Sequence, residues 1–160
     1  LRIGQGFDAH RLVPGRPLRL GGVEIPFERG LEGYSDGDVL LHAVASALLG
    51  ALGQGDLGEH FPSSDPALAG IASGELLARV AARVDAAGYA VGNLDATVVA
   101  EAPRLAAHLP KMREAIAAIL GLAAEQVNLQ VTSTDGLGTL GRGEGIAALA
   151  VVLLRPAPGA

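Results

Sequence analysis

Cysteine is absent from the 160 residues. Disulfides and thiolate zinc sites are thereby excluded, and any metal must be held by nitrogen and oxygen. No apolar run approaches the ~18 residues of a membrane span. Residues 1–15 lack the basic start and apolar middle of a secretory signal, so a cytoplasmic protein is expected. Basic residues are outnumbered, with 12 Lys and Arg against 17 Asp and Glu. That balance argues against broad nucleic-acid binding, which draws on a basic face. A local basic pocket for phosphate stays open. What is plentiful is apolar surface: 49% of the residues are hydrophobic. The length suits one domain, residues 1–160, with a core that needs no staples.

Residues 3–10 set apolar Ile3 and Phe7 among small residues and predict a short strand. Side chains alternate faces along a strand, so Asp8 and His10 project together, one pleat apart. A turn is expected over 12–16. Leu18–Leu20 and Val23–Ile25 flank Gly21 and Gly22, the pattern of a hairpin. Residues 28–37 read as a loop. Ser35 and Asp36 are the expected N-caps of a buried helix over Val39–Leu52. Within it Asp38, His42 and Ser46 are spaced by four and share its one polar face.

Residues 53–66 read as a long loop rich in turn formers, either functional or a surface excursion. Ser73 is expected to cap a helix over 74–87, with a stripe of Leu76, Leu77, Val80 and Val84, stopped by Gly88. A strand is expected over 90–100. Pro103 is expected to open a third helix, broken near Pro110 and closed by Gly121. Strands over 127–134 and 146–154 enclose a glycine-rich loop, 135–145. This order predicts an α+β fold with a mixed β-sheet and helices packed on one face. Residues 146–154 are apolar on both sides, so the other face wants a second cover. A homo-oligomer follows.

Two constellations carry chemistry. Asp8 and His10, joined by His42, supply one carboxylate and two imidazoles, a set that suits zinc and leaves a fourth position open. Manganese or iron would accept the same donors. Asp38, one turn before His42, is placed either to orient the imidazole or to cap the helix. The plain alternative is a core histidine bonded to Asp38. The second constellation suits anions: the Ser35 end of the first helix, the hydroxyls of Thr132, Ser133 and Thr134, Arg104, and Arg142 in its glycine-rich loop. Asp135 beside those hydroxyls suits a second, harder cation. Together they point to metal-assisted phosphoryl chemistry, hydrolysis and transfer alike. His60 and His108 are expected on the surface.

Across nearly the whole chain the motifs fall in one family's order. They are Arg2, Ile3, Gly4, Gly6, Phe7, Asp8 and His10; Gly21, Gly22 and Val23; Ser35 to Val39 with His42; Gly55, Asp56 and Gly58; Phe61 and Pro62; Asp65 and Pro66; Ala102 and Pro103; and Gly141 to Gly145. In these the chain resembles the 2-C-methyl-D-erythritol 2,4-cyclodiphosphate synthases. The resemblance implies an isoprenoid enzyme of the non-mevalonate pathway. It would convert 4-diphosphocytidyl-2-C-methyl-D-erythritol 2-phosphate to the cyclic diphosphate and CMP. It implies a homotrimer whose sheet faces fill the interior, with active sites between subunits.

By resemblance zinc falls on Asp8, His10 and His42, and a second divalent cation, magnesium or manganese, on Asp135. Catalytic positions fall on Tyr34 and Ser133. Substrate contacts fall on Asp8, Ala9, His10, Tyr34 and Ser35, then on Asp56, Leu57 and Gly58, and on the closing loop Phe61, Pro62, Ser63, Ser64 and Asp65. The cytidine pocket, on a neighbouring subunit, falls on Ala100, Glu101, Ala102, Pro103, Arg104, Leu105 and Ala106, with Val131, Thr132, Ser133, Thr134 and Asp135. Thr139 and Arg142 lie where the family lines a cavity on the trimer axis. Three positions depart from the family's usual residues: Tyr34 stands for His, Asp135 for Glu, and Thr139 for an aromatic. Two rival functions remain at this point, a zinc phosphohydrolase using Asp38 or Asp65 as base, and an oligomeric binding protein with a structural zinc.

Overall fold

Strand β1 (Arg2–Pro14) is thirteen residues long in the computed structural model, which describes residues 1–157 and 159. It outruns the expected segment because it has partners along its whole length. Strand β7 (Gly145–Pro156) pairs antiparallel with it from Arg2 opposite Leu154 to Arg11 opposite Gly145. Its last residues, Leu12 to Pro14, pair with β4 (Arg29–Leu31). The turn expected at 12–16 and the loop expected at 28–37 are therefore partly strand. Neither short segment alternates enough to announce itself; each is held by its partner.

The main sheet runs in the order β4-β1-β7-β5-β6, with β5 (Tyr89–Val99) antiparallel to β7 and parallel to β6 (Val127–Thr132). It is a mixed sheet, as expected. Strands β2 (Leu18–Leu20) and β3 (Val23–Ile25) form a separate hairpin. Gly21 and Gly22 at its tip have φ of 59° and 78°. Two consecutive positive values make the primed turn that matches strand twist, and glycine takes it without steric cost.

Helix α1 (Val39–Leu52) lies against β1 and β7, α3 (Ser73–Ala86) packs on α1 and β5, and α4 (Leu109–Leu120) packs on α3 and β6. Gly4 and Gly6 project toward α1 from the same face of β1 as Asp8 and His10. A methyl built on Gly6 would overlap the Ala43 carbonyl, and one on Gly4 the Ala47 carbonyl. Backbone therefore meets backbone along this seam. Leu94, Ala96 and Val98 of β5 and Ala148, Ala150 and Val152 of β7 complete the buried face.

The opposite face leaves Ile3 71%, Phe7 58%, Leu149 38% and Val151 41% exposed. Phe7 stands opposite Leu149 across the β1–β7 ladder. The sheet is thus apolar on both sides, and this chain covers one.

Several expected boundaries shift. The N-cap of α1 is Asp38, not Ser35 or Asp36: its carboxylate accepts from the backbone N–H groups of Leu41, Gly21 and Gly22 at 3.1, 2.9 and 2.7 Å. Ser73 is the first residue of α3, with its hydroxyl turned elsewhere, and the Ala72 cap position makes no side-chain bond. Pro103 follows a cis peptide bond and starts no helix, so Arg104 precedes the third helix instead of lying inside it. The 53–66 loop contains a short helix, α2 (Leu57–His60), capped by Asp56. The glycine-rich loop contains another, α5 (Gly138–Gly141).

Gly6→Ala is expected to destabilise the protein by about 3 kcal/mol, because the intruding methyl meets rigid helix backbone and no side chain can step aside. Urea unfolding measures the loss; an unchanged midpoint would contradict the close approach of β1 and α1.

Candidate active site

Where the glycine seam of β1 ends, Asp8 and His10 take its place on the same face. His42, in the first turns of α1, comes down beside them. The Asp8 Oδ2 lies 2.8 Å from His10 Nε2 and 2.9 Å from His42 Nδ1, and the two ring nitrogens are 3.3 Å apart. Among the described residues these three form the one group of His, Asp or Glu donors within 4.8 Å of each other. His60 is elsewhere, half-buried and bonded through Nε2 to the Gln54 carbonyl at 2.7 Å. His108 is half-buried too. Both keep part of their surface in solvent, and neither joins the triad.

The donor set fits a metal. His10 Nδ1 faces the Glu32 carbonyl, which only accepts, so that nitrogen carries the proton. Nε2 is then the nitrogen left for a metal, and it faces Asp8 and His42. Bonds of ~2.0–2.1 Å to a tetrahedral zinc put neighbouring donors about 3.3 Å apart, close to the separations found. A proton between these groups ties the carboxylate to the rings. Burial would raise the Asp8 carboxyl, but hydrogen bonds and charge from His10 and His42 hold it well below the usual carboxylate range. The hydrogen bond to Asp8 raises the His10 imidazole against its own burial. A divalent cation replaces that proton with a stronger charge.

Asp38 does not orient His42. Its carboxylate is fully engaged by three backbone amides, and its bond with His42 is the helical one, in which the His42 N–H donates to the Asp38 carbonyl. The core-histidine alternative fails for the same reason. The other ring nitrogen of His42, Nε2, lies between the hydroxyls of Ser73 at 2.9 Å and Ser35 at 3.0 Å. Ser35 is buried, and its hydroxyl faces these partners and the Gly37 N–H.

A cavity of about 180 Å³ opens beside the triad. His10, Tyr34, Ser35 and His42 form its polar end. Leu57, Gly58, Phe61 and Ser63 form one wall, and Leu68, Ile71 and Leu76 the other. The last three were not legible from spacing; Leu68 and Ile71 come from the segment before α3 and Leu76 from α3 itself. Tyr34 is 43% exposed and donates its hydroxyl to the Asp65 carbonyl at 3.0 Å. Asp56 and Asp65 spend their carboxylates on local caps, accepting from the Glu59 and Ala67 N–H groups. Pro62 and Ser64 are exposed and do not line the cavity.

The remaining expected residues gather in a second hollow of about 310 Å³, at the carboxyl ends of the parallel strands β5 and β6. Ala100, Glu101, Pro103, Arg104, Leu105, Ala106, Val131, Thr132 and Ser133 line it. Ala102 is outside the lining. Open sheets commonly bind ligands at such strand ends. No residue lines both hollows. Within this chain, then, the Asp8, His10 and His42 group and the strand-end residues belong to separate concavities.

Glu101 steadies the second hollow by accepting from the Thr134 and Gly136 N–H groups at 3.0 and 3.2 Å. Asp135 has φ of 53° and accepts from the Ser133 hydroxyl at 3.2 Å; it joins neither hollow nor the triad. A third hollow, about 240 Å³, is lined by Ala9, His10, Arg11, Thr139, Leu140, Glu144 and Gly145. Arg142 pairs with Glu144 at 2.6 Å beside it. Arg16 was also missed by sequence: its guanidinium donates to the Gly33 and Ser35 carbonyls, both at 2.8 Å, and braces the Tyr34 segment.

Comparison with known proteins gives a consistent picture. The family model described as the YgbB family matches residues 1–155. The 2-C-methyl-D-erythritol 2,4-cyclodiphosphate synthase of Geotalea uraniireducens is 58% identical over 154 residues, 96% of this chain and 98% of that protein. The enzyme of the same name from Burkholderia ambifaria is 58% identical over 153 residues, 96% and 95% of the two chains. Among solved structures, the bifunctional IspDF of Campylobacter jejuni superposes with a TM-score of 0.93 at 40% identity. The match covers 97% of this chain and 42% of that one. A 2C-methyl-D-erythritol-2,4-cyclodiphosphate synthase in a CDP-bound form superposes at 0.89 and 35% identity, covering 96% of this chain and 100% of that one.

His42→Ala is expected to lower zinc binding by at least two orders of magnitude while leaving the fold in place, since the ring sits at the edge of the cavity. Equilibrium dialysis with metal analysis measures it. Full zinc content in that variant would remove the triad as a metal centre.

Proposed function

The chain belongs to the YgbB family, and from that membership we propose how it carries out its reaction. It is a lyase acting on phosphorus–oxygen bonds. It converts 4-diphosphocytidyl-2-C-methyl-D-erythritol 2-phosphate to 2-C-methyl-D-erythritol 2,4-cyclodiphosphate, releasing CMP, within isoprenoid biosynthesis. The observation that carries the proposed mechanism is the convergence of Asp8, His10 and His42 at the polar end of an otherwise apolar cavity.

Asp8, His10 and His42 are the proposed zinc ligands; bound there, zinc neutralises charge on a phosphate oxygen. The Tyr34 phenol, which lines the same cavity, would turn from the Asp65 carbonyl to donate to the diphosphate. Asp56, Leu57, Gly58 and the 61–65 loop flank the methylerythritol. The strand-end hollow takes the cytidine, with Ser133 at the phosphates and Asp135 contributing to a second divalent cation, magnesium or manganese. The 2-phosphate oxygen bonds to the β-phosphorus, the bond from that phosphorus to the α-phosphate oxygen breaks, and CMP departs with the electron pair. Nucleophile and leaving group belong to one molecule. Holding it bent over the cavity supplies much of the acceleration, and the protein otherwise positions groups and offsets charge.

Two hollows that share no residue need a way to meet on one substrate. A homotrimer supplies it by setting the strand-end hollow of one subunit against the metal cavity of the next. The uncovered apolar face of Ile3, Phe7, Leu149 and Val151 supports such an interior. In this proposal the whole chain is one catalytic domain, and its location is the cytoplasm. No helix among the described residues is long and apolar enough to cross a membrane.

The rival functions lose support. A structural zinc is closed by four protein ligands, and the described residues gather three. A hydrolase needs a free base at the cavity, yet the Asp38 carboxylate is committed to backbone amides and Asp65 does not line the cavity.

Incubation with the cytidine substrate, zinc and magnesium is expected to yield CMP and the cyclic diphosphate in equal amounts, followed by phosphorus NMR. Release of inorganic phosphate instead would sink the cyclisation. Light scattering is expected to give three times the chain mass for the wild type, and Phe7→Glu is expected to shift it toward monomer with loss of turnover. A monomeric wild type of full activity would reject shared sites.

A further inference from the structure

The His42 ring has two nitrogens, and only one orientation of its proton leaves a lone pair for a metal. A hydroxyl cannot choose between them, because it donates or accepts with equal ease. The pair of hydroxyls at Nε2 is therefore not sufficient by itself. What lies behind them decides the direction. The Ser73 hydroxyl bonds to Asp36 Oδ1, and the Ser73 backbone N–H donates to Asp36 Oδ2 at 3.0 Å. An ionised carboxylate only accepts. The Ser73 proton must therefore point at Asp36, which leaves the Ser73 oxygen to accept from His42 Nε2–H at 2.9 Å. Nδ1, which faces Asp8 and His10, is then the nitrogen left for a metal.

The arrangement is built and buried. Ser73 is 1% exposed and His42 8%. Asp36 is fastened by its own N–H to the Ile71 carbonyl at 3.2 Å and receives the Asp38 N–H at 3.1 Å. The Ser35 oxygen, 3.4 Å from Ser73 and 3.0 Å from Nε2, shares the same proton. We propose that Asp36 and Ser73 are positioning residues: a one-way hydrogen-bond chain from His42 through Ser73 to Asp36 holds His42 in its Nε2–H form and so keeps Nδ1 available to the metal. The chain also joins the 34–37 segment to the start of α3, which ties the ligand's orientation to the wall carrying Ile71 and Leu76. Outer partners of this kind commonly contribute 10–100-fold to metal affinity. The proposal rests on the metal site of the preceding subsection.

Asp36→Ala is the informative change. It removes the acceptor that fixes the Ser73 proton, so Ser73 is free to donate to His42 Nε2. Nitrogen-15 NMR of histidine-labelled, metal-free wild type is expected to show His42 carrying a proton at Nε2, and Asp36→Ala to show that proton lost. Zinc titration against a chromophoric chelator is expected to give 10–100-fold weaker binding in Asp36→Ala and in Ser73→Ala, with circular dichroism unchanged. A wild-type His42 with no proton at Nε2 overturns the proposal even if a variant fails to fold. So does zinc affinity within twofold of wild type in both folded variants. Absence of zinc binding in the wild type would instead reject the metal site itself.

Discussion

The contact on which the rest depends is the approach of α1 to β1 without side chains between them. Gly4 and Gly6 face the carbonyls of Ala43 and Ala47, so helix and strand touch backbone to backbone. At a seam spaced by ordinary side chains, layers stand about 10 Å apart, too far for one side chain from each to reach a common point at metal-bond length. Here the spacing is smaller. When the glycines give way to Asp8 and His10, the next side chain on the facing helix, His42, is already within 3 Å. The proposed metal centre is thus a continuation of a packing seam. Its rigidity comes from the scaffold, as a preorganised site requires.

The second constraint is electrical. A carboxylate and two imidazoles turned inward repel one another unless something positive sits among them. The fold pins the outer faces of these groups to acceptors: His10 to the Glu32 carbonyl, His42 to hydroxyls backed by Asp36. Arg16 braces the intervening segment through the Gly33 and Ser35 carbonyls. The charged and polar atoms outside the triad are therefore spent on orientation. The cavity they border is mostly apolar, which keeps water few and the remaining interactions strong.

Much of this could be read along the chain. The limits of α1, the Gly21–Gly22 hairpin, the mixed sheet and the apolar character of both faces of β7 follow from local pattern. Asp8 and His10 share a face by strand geometry alone. Other features were illegible for identifiable reasons. Ser35, Asp36 and Asp38 are all good caps, and only the amides of Gly21 and Gly22, brought in by the hairpin, select Asp38. Strand β4 has three residues and no alternation; it exists because Leu12 to Pro14 lie beside it. Ser73 looked like a cap because caps are where serines near helix starts usually go.

The sequence by itself determined the chemistry that was possible: no sulfur ligands, a carboxylate and imidazole locked on one face of a strand, and a histidine on a buried helix. Those depend on residue type and on periods of two and 3.6, which are local. Tertiary structure alone decided that the three donors share one point, that Asp36 and Ser73 stand behind His42, and that the strand-end hollow is separate from the metal cavity. Each of these is a distance between segments tens of residues apart, and such distances are set by packing, which no short-range pattern encodes.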